Sequence, residues 1–199
     1  MTQSPWLWLI AGPNGAGKTT YARSLSSEIG ELVRPDLLAL QLSPENPERV
    51  ALKAGRLAID RIKSLLQQKR SFAVETTLSG RFHLDIVKSA KSDRWNVGIV
   101  YIGLKTPTIA IERVRLRKLT GAHSVPPEDI RRRYRRSLVN LASICGIADR
   151  LVVLDNSSER TPMKRMLEMR SHQTVFRRQR LPKWLTSALG SILQSRSKI

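Results

Sequence analysis

Residues 6–20 read WLWLIAGPNGAGKTT, and the fold is decided there. The apolar run 6–12 ends in glycine and predicts a buried strand. Gly12, Pro13, Asn14, Gly15, Ala16, Gly17, Lys18 and Thr19 then match G-x-x-x-x-G-K-[ST] at every fixed position. Glycines permit backbone angles that a Cβ forbids. Successive N–H groups can then turn inward around phosphate oxygens, and a helix starting at Lys18 offers its positive end to the same anion. Lys18 is expected on the β- and γ-phosphates, the Thr19 hydroxyl on Mg²⁺, and Thr20 beside them. Chance would match the four fixed positions in roughly one chain of this length in a hundred, so the reading is phosphate binding. No N-K-x-D stretch reads guanine, which favours ATP over GTP.

Outward from this loop, strands and helices alternate. KTTYARSLSSEIG, 18–30, predicts a helix that stops at Gly30. ELVRPDLL follows, with Pro35 expected to break any helix. Residues 47–69 form the clearest helix, with Val50, Ala54, Leu57, Ala58, Ile62, Leu65 and Leu66 on one stripe. Strands are predicted at 71–77, 96–104 and 150–156, and helices at 82–92, 107–119 and 128–145. Alternation of this kind predicts an α/β fold of the P-loop NTPase, nucleoside-kinase-like type. Its parallel sheet has about five strands, helices on both faces and a helical lid.

The chain has 199 residues, enough for one domain with a real core. The expected division is a kinase domain over 1–157, with a lid at about 113–137, and a basic extension over 158–199, helical in part. Lys and Arg number 35 against 16 Asp and Glu, a net charge of +19, which favours anionic partners. A single cysteine, Cys145, excludes an internal disulfide. The histidines His83, His123 and His172 lack ligand spacing. The N-terminus does not read as a signal peptide, no run is long enough to span a membrane, and a cytoplasmic protein is expected.

A small P-loop kinase needs a base, groups that hold the acceptor, and cations over the transferring phosphate. Asp36 lies where the chain returns to the C-terminal edge of the sheet, so its carboxylate can take a proton from an acceptor hydroxyl; as an alternative it caps the turn after Pro35. Glu75 and Thr77 end the second long strand at the same edge. Arg113, Arg115, Arg117 and Lys118 precede a loop with Gly121, His123 and Pro126, and Arg131, Arg132, Arg133, Arg135 and Arg136 follow it. Helix, loop and helix with cations on both sides is the pattern of a closing lid.

In order, GPNGAGKTT, PD, VETTLSGR, IERVRLR and GAHSVPPEDIRRRYRRSL resemble the zeta toxin family of P-loop kinases over about residues 6–156. The resemblance implies ATP and Mg²⁺, and transfer of the γ-phosphoryl group to the 3′-hydroxyl of a UDP-activated amino sugar such as UDP-N-acetylglucosamine. It assigns Lys18 and Thr19 to phosphate and magnesium, Asp36 to the catalytic base, and Glu75 and Thr77 to the amino sugar, with Arg81 beside them. Arg113 matches one phosphate-binding arginine; Arg117, Arg133 and Arg136 are alternatives for the second. The family also implies a toxin with an acidic antitoxin partner. Two other readings stay open: a polynucleotide kinase, and an ATP-gated protein whose basic tail grips nucleic acid. An aromatic content of 5% disfavours the former.

Overall fold

The computed structural model describes residues 4–25, 29–118 and 125–195. In chain order the elements are β1 (Trp6–Ala11), α1 (Lys18–Ser24), β2 (Glu31–Val33), α2 (Pro35–Leu42), a 3-10 turn (Pro47–Val50), α3 (Ala51–Gln67), β3 (Phe72–Thr76), α4 (Phe82–Ser92), β4 (Asn96–Gly103), α5 (Pro107–Lys118), α6 (Pro127–Cys145), β5 (Arg150–Asp155), β6 (Lys164–Arg170), β7 (Gln173–Arg177) and α7 (Lys183–Ser195).

One seven-stranded sheet runs in the order β2-β3-β1-β4-β5-β6-β7. The first five strands in this order are parallel; β6 and β7 are antiparallel additions. Burial on both faces explains why β1 and β4 read as unbroken apolar runs. Leu7, Leu9 and Ala11 face one core with α3, α4, α6 and α7, while Ile10 faces the other with α1 and α5. The strand order reverses at β1, whose neighbours β3 and β4 are reached by connections on opposite sides. In open α/β sheets ligands bind at the C-terminal end of such a switch, and here that end carries the glycine-rich loop.

The structure departs from the sequence reading in five places. The sheet has seven strands instead of about five. Residues 164–170 and 173–177 were expected within a partly helical extension, yet they extend the sheet. Arginines on an edge hairpin can point to water, so charge masks the strand pattern. Helix α7 then packs on the same core, burying Trp184, Leu185, Leu189 and Leu193, each worth roughly 1.5–3 kcal/mol against exposure. Pro35 starts α2 instead of ending a helix, because N1 is the position where a missing N–H costs nothing. Finally, α1 ends at Ser24 and Gly30 is no helix cap. Gly30 has φ +70, and a Cβ there would lie 2.3 Å from the Ser71 carbonyl oxygen, so glycine lets the chain cross β3 closely. The α3 stripe is narrower than expected: Ala54, Ala58, Ile62 and Leu65 are buried, whereas Leu57 is exposed.

Candidate active site

The loop after β1 is held from three sides. The Gly12 N–H donates to the Thr76 carbonyl at 3.2 Å and the Ala16 N–H to Pro13 at 3.2 Å. Gly12 lies so near β4 that a Cβ would sit 2.1 Å from the Ile102 carbonyl oxygen. Gly17, at φ +91, leaves room for Asn156 and Met163, whose side chains would lie 2.8 Å from a Cβ. Asn156 fastens the loop: its Nδ2 donates to the Ala16 carbonyl at 2.9 Å, and its Oδ1 accepts from the Met163 N–H at 3.2 Å.

Lys18 opens α1 with its side chain buried, and its ammonium donates to the Pro13 carbonyl at 3.1 Å. Burial pushes its pKa below the ordinary lysine value. The carboxylates of Glu75 and Asp36 oppose that shift, and Arg117 and Arg133 add to it. The Asn14 Oδ1 is buried without a hydrogen-bond partner among the described residues. A cradle that side chains would fill and a buried ammonium together fit a polyphosphate.

Two clefts meet here. One, of about 980 Å³, is walled by Asn14, Gly15, Gly17, Lys18, Thr19 and Thr20 of the loop, by Arg113, Leu116 and Arg117 of α5, and by Asn156. The other, of about 600 Å³, is walled by Arg34, Pro35, Thr76, Thr77, His83 and Arg133. Asn14, Lys18, Asp36 and Glu75 belong to both. Asp36 lies exposed in the first turn of α2. Its carboxylate belongs to the wall that the two clefts share, and its place in the first turn also sets it at the positive end of α2.

Glu75 is placed differently from the bare expectation of an acceptor-binding strand end. It accepts from the Thr19 hydroxyl at 2.9 and 3.0 Å and pairs with Arg34 Nε at 3.2 Å. A threonine whose proton is directed at a carboxylate turns its lone pairs outward, and that oxygen set suits Mg²⁺. The fit to the metal is therefore good: Thr19 would hold it and Glu75 would orient Thr19.

Other expected residues divide. Arg113 Nη1 donates to the Gly15 carbonyl at 3.5 Å, Arg117 walls the larger cleft, and Arg133 and Thr77 wall the smaller. Arg136 and Arg81 are exposed and belong to neither cleft wall. Of the expected lid, α5 and α6 are described, whereas residues 119–124, His123 included, lie outside the described residues. Sequence reasoning missed Arg34, His83 and Asn156. His83 lies 3.2 Å from the Thr76 hydroxyl, which also accepts from the Leu78 N–H. Burial lowers its pKa to about 4, so the imidazole is neutral at pH 7. The clue to Asn156 was an amide side chain directly after a buried strand.

The order of strands and the loop after β1 define a P-loop NTPase fold. The chain belongs to the AAA domain family, whose model matches residues 7–182. It is similar to an uncharacterized protein of Haemophilus influenzae, 31% identical over 123 residues, covering 62% of this chain and 88% of that protein. Among solved structures it superposes on the AvrRxo1-ORF1:-ORF2 structure with ATP at a TM-score of 0.66 and 16% identity, over 86% of this chain. It spans 60% of the length of that chain. A structure of the PezAT chromosomal toxin-antitoxin system of Streptococcus pneumoniae matches at a TM-score of 0.62 and 16% identity, over 100% of this chain and 86% of that one. These structures share the fold. Among the described residues, no helix is long and apolar enough to cross a membrane.

Proposed function

We propose that the protein is an ATP-dependent phosphotransferase of the zeta toxin type, acting on a hydroxyl group of a small molecule. The observation that carries this reading is Asp36, an exposed carboxylate in the wall common to both clefts. ATP occupies the larger cleft, its phosphates in the loop and its base against Leu116 and Asn156. The acceptor occupies the smaller one. Asp36 takes the proton of the acceptor hydroxyl as that oxygen bonds to the γ-phosphorus; the bond to the β,γ-bridging oxygen breaks, and ADP leaves. Lys18, Arg113 and Arg117 compensate the negative charge on the phosphates, with Arg133 approaching from the acceptor side. Bound at Thr19, Mg²⁺ would supply further charge neutralisation at the phosphates.

The acceptor we favour is a UDP-activated amino sugar such as UDP-N-acetylglucosamine. Thr77 and the neutral His83 offer hydrogen bonds to its hydroxyl and amide groups, Glu75 borders the same space, and Arg133 faces its diphosphate. The fold shared with a toxin-antitoxin system supports a cytoplasmic toxin with an acidic antitoxin, for which a surplus of positive charge is suited. The test is ATP turnover with and without UDP-sugars, in wild type and Asp36→Ala. Acceptor-stimulated ADP release that the substitution abolishes is expected. Turnover that ignores both acceptor and substitution would overturn the transfer reading.

A further inference from the structure

At the end of the strands away from the phosphate loop, register aligns Trp8, Gly98, Arg150 and Arg170 in one row across β1, β4, β5 and β6. Gly98 lets the Trp8 indole lie against β4, since a Cβ there would meet its ring at 2.3 Å. Trp6 stacks on Trp8 with ring centroids 5.2 Å apart and planes at 15°. The Arg150 guanidinium lies 5.8 Å from the Trp8 ring centroid. One row on, Glu168 faces Phe176, and the Arg165 guanidinium sits 4.1 Å from the Phe176 centroid. Glu168 is nearly inaccessible and is paired with Arg150 at 3.2 Å, Arg165 at 3.0 Å and Arg170 at 2.8 Å.

Three guanidinium groups around one carboxylate leave surplus positive charge on this face. Their side chains remain 39%, 51% and 60% exposed, and the three rings are only half-buried. Helix α1, which packs on this side of the sheet, has seven residues and so a length of about 10 Å. A six-residue strand is about 20 Å long, so α1 by itself does not cover the starts of the strands, where Trp6 and Trp8 stay half-buried.

We propose that this sheet face binds single-stranded nucleic acid, with bases stacked on the Trp6–Trp8 pair and Phe176 and phosphates paired with Arg150, Arg165 and Arg170. Ring faces interleaved with guanidinium groups are what unpaired bases and their backbone require. A second copy of the chain is a poor occupant, because each carries +19 and repels the other. An acidic protein would satisfy the arginines but leave the stacked rings without a role. The face is remote from Asp36 and does not depend on the phosphotransferase reading.

The experiment is fluorescence anisotropy of labelled oligouridylate of twelve nucleotides, titrated with the full chain at several salt concentrations. Saturable binding with a slope of log K against log salt of about −2 is expected for three phosphate contacts. Trp6→Ala weakens it about tenfold, and Arg170→Gln lowers the slope by about 0.7. Arg56→Gln, which removes the same charge from an exposed position of α3, leaves both unchanged, as does Asp36→Asn. Thermal melts confirm that each variant is folded; if Trp6→Ala is not, quenching of tryptophan emission by the oligonucleotide replaces it as the readout. Absence of binding at low salt, binding indifferent to Trp6→Ala in a folded variant, or absence of quenching overturns the proposal. Poly-glutamate competing as well as polyuridylate also overturns it and assigns the face to an acidic protein.

Discussion

Asn156→Ala tests how the phosphate loop is held. The side chain spans the loop and the segment before β6, donating to the Ala16 carbonyl at 2.9 Å and accepting from the Met163 N–H at 3.2 Å. It is buried, and so is the Ala16 bond. Truncation removes two hydrogen bonds and leaves their backbone partners short of a mate in a site with little access for water. Each net bond is worth about 1 kcal/mol, and each orphaned group costs about 1–3 kcal/mol where water cannot replace the partner, so a loss of about 2–4 kcal/mol is expected. For a chain of this size that lowers Tm by roughly 4–16 °C. The folded fraction should also bind ATP more weakly, because Gly17 and Ala16 lose the contact that fixes their N–H groups. Differential scanning fluorimetry and titration with a fluorescent ATP analogue measure the two effects. Asn156→Asp sharpens the test: it keeps the acceptor for Met163 but sets a negative charge beside the phosphates, so nucleotide affinity should fall further than stability. Unchanged Tm together with ATP affinity within twofold of wild type in Asn156→Ala would refute the clamp.

The remaining predictions concern protons, metal and packing. His83 is protonated in the unfolded chain near pH 6.5 but in the folded one only near 4. The unfolded state therefore binds more protons between these values, and stability falls as pH drops from 6.5 towards 4, by up to about 3 kcal/mol; denaturant melts of His83→Asn should lack this component. Glu75→Gln takes the charged acceptor from the Thr19 hydroxyl and the counterion from Arg34, so the Mg²⁺ needed for half-maximal ATP binding should rise about 10- to 100-fold, read by nucleotide titration at buffered Mg²⁺. In Gly98→Ala the new Cβ has only 2.3 Å to the Trp8 ring, which should destabilise by about 1–3 kcal/mol without changing ATP affinity in the folded fraction, as urea melts and ATP titration can check.

The parts legible in the sequence are those where one physical signal dominates. Leu7, Leu9 and Ile10 in β1 and the run 97–103 in β4 are buried, so hydrophobicity alone marks them. The glycine loop was legible because Gly12 and Gly17 stand where β4 and Asn156 leave no room for a Cβ. The hairpin of β6 and β7 was not: its exposed positions carry Lys164, Arg165, Arg170 and Arg177, and Glu168 is buried only because arginines on two strands surround it. In the site, Asp36 was expected from its place just past the first helix, and it lies exposed in the wall that the two clefts share. The bond from Thr19 to Glu75 spans 56 residues of sequence. Only the pairing of β1 with β3, which sets Ile10 beside Glu75, brings the two together, and no local pattern carries that register. Arg34 was hidden for a related reason: its partner is fixed by the sheet, whereas the neighbouring Pro35 and Asp36 drew the reading towards a turn.

The most direct measurement is phosphoryl transfer itself. The protein is incubated with γ-³²P-ATP and a metabolite extract, and labelled products are separated and weighed by mass spectrometry. The account predicts a metabolite heavier by one phosphoryl group, formed by wild type and lost in Asp36→Asn while ATP binding persists. Label appearing only as inorganic phosphate, or a labelled metabolite formed equally by Asp36→Asn, would contradict it.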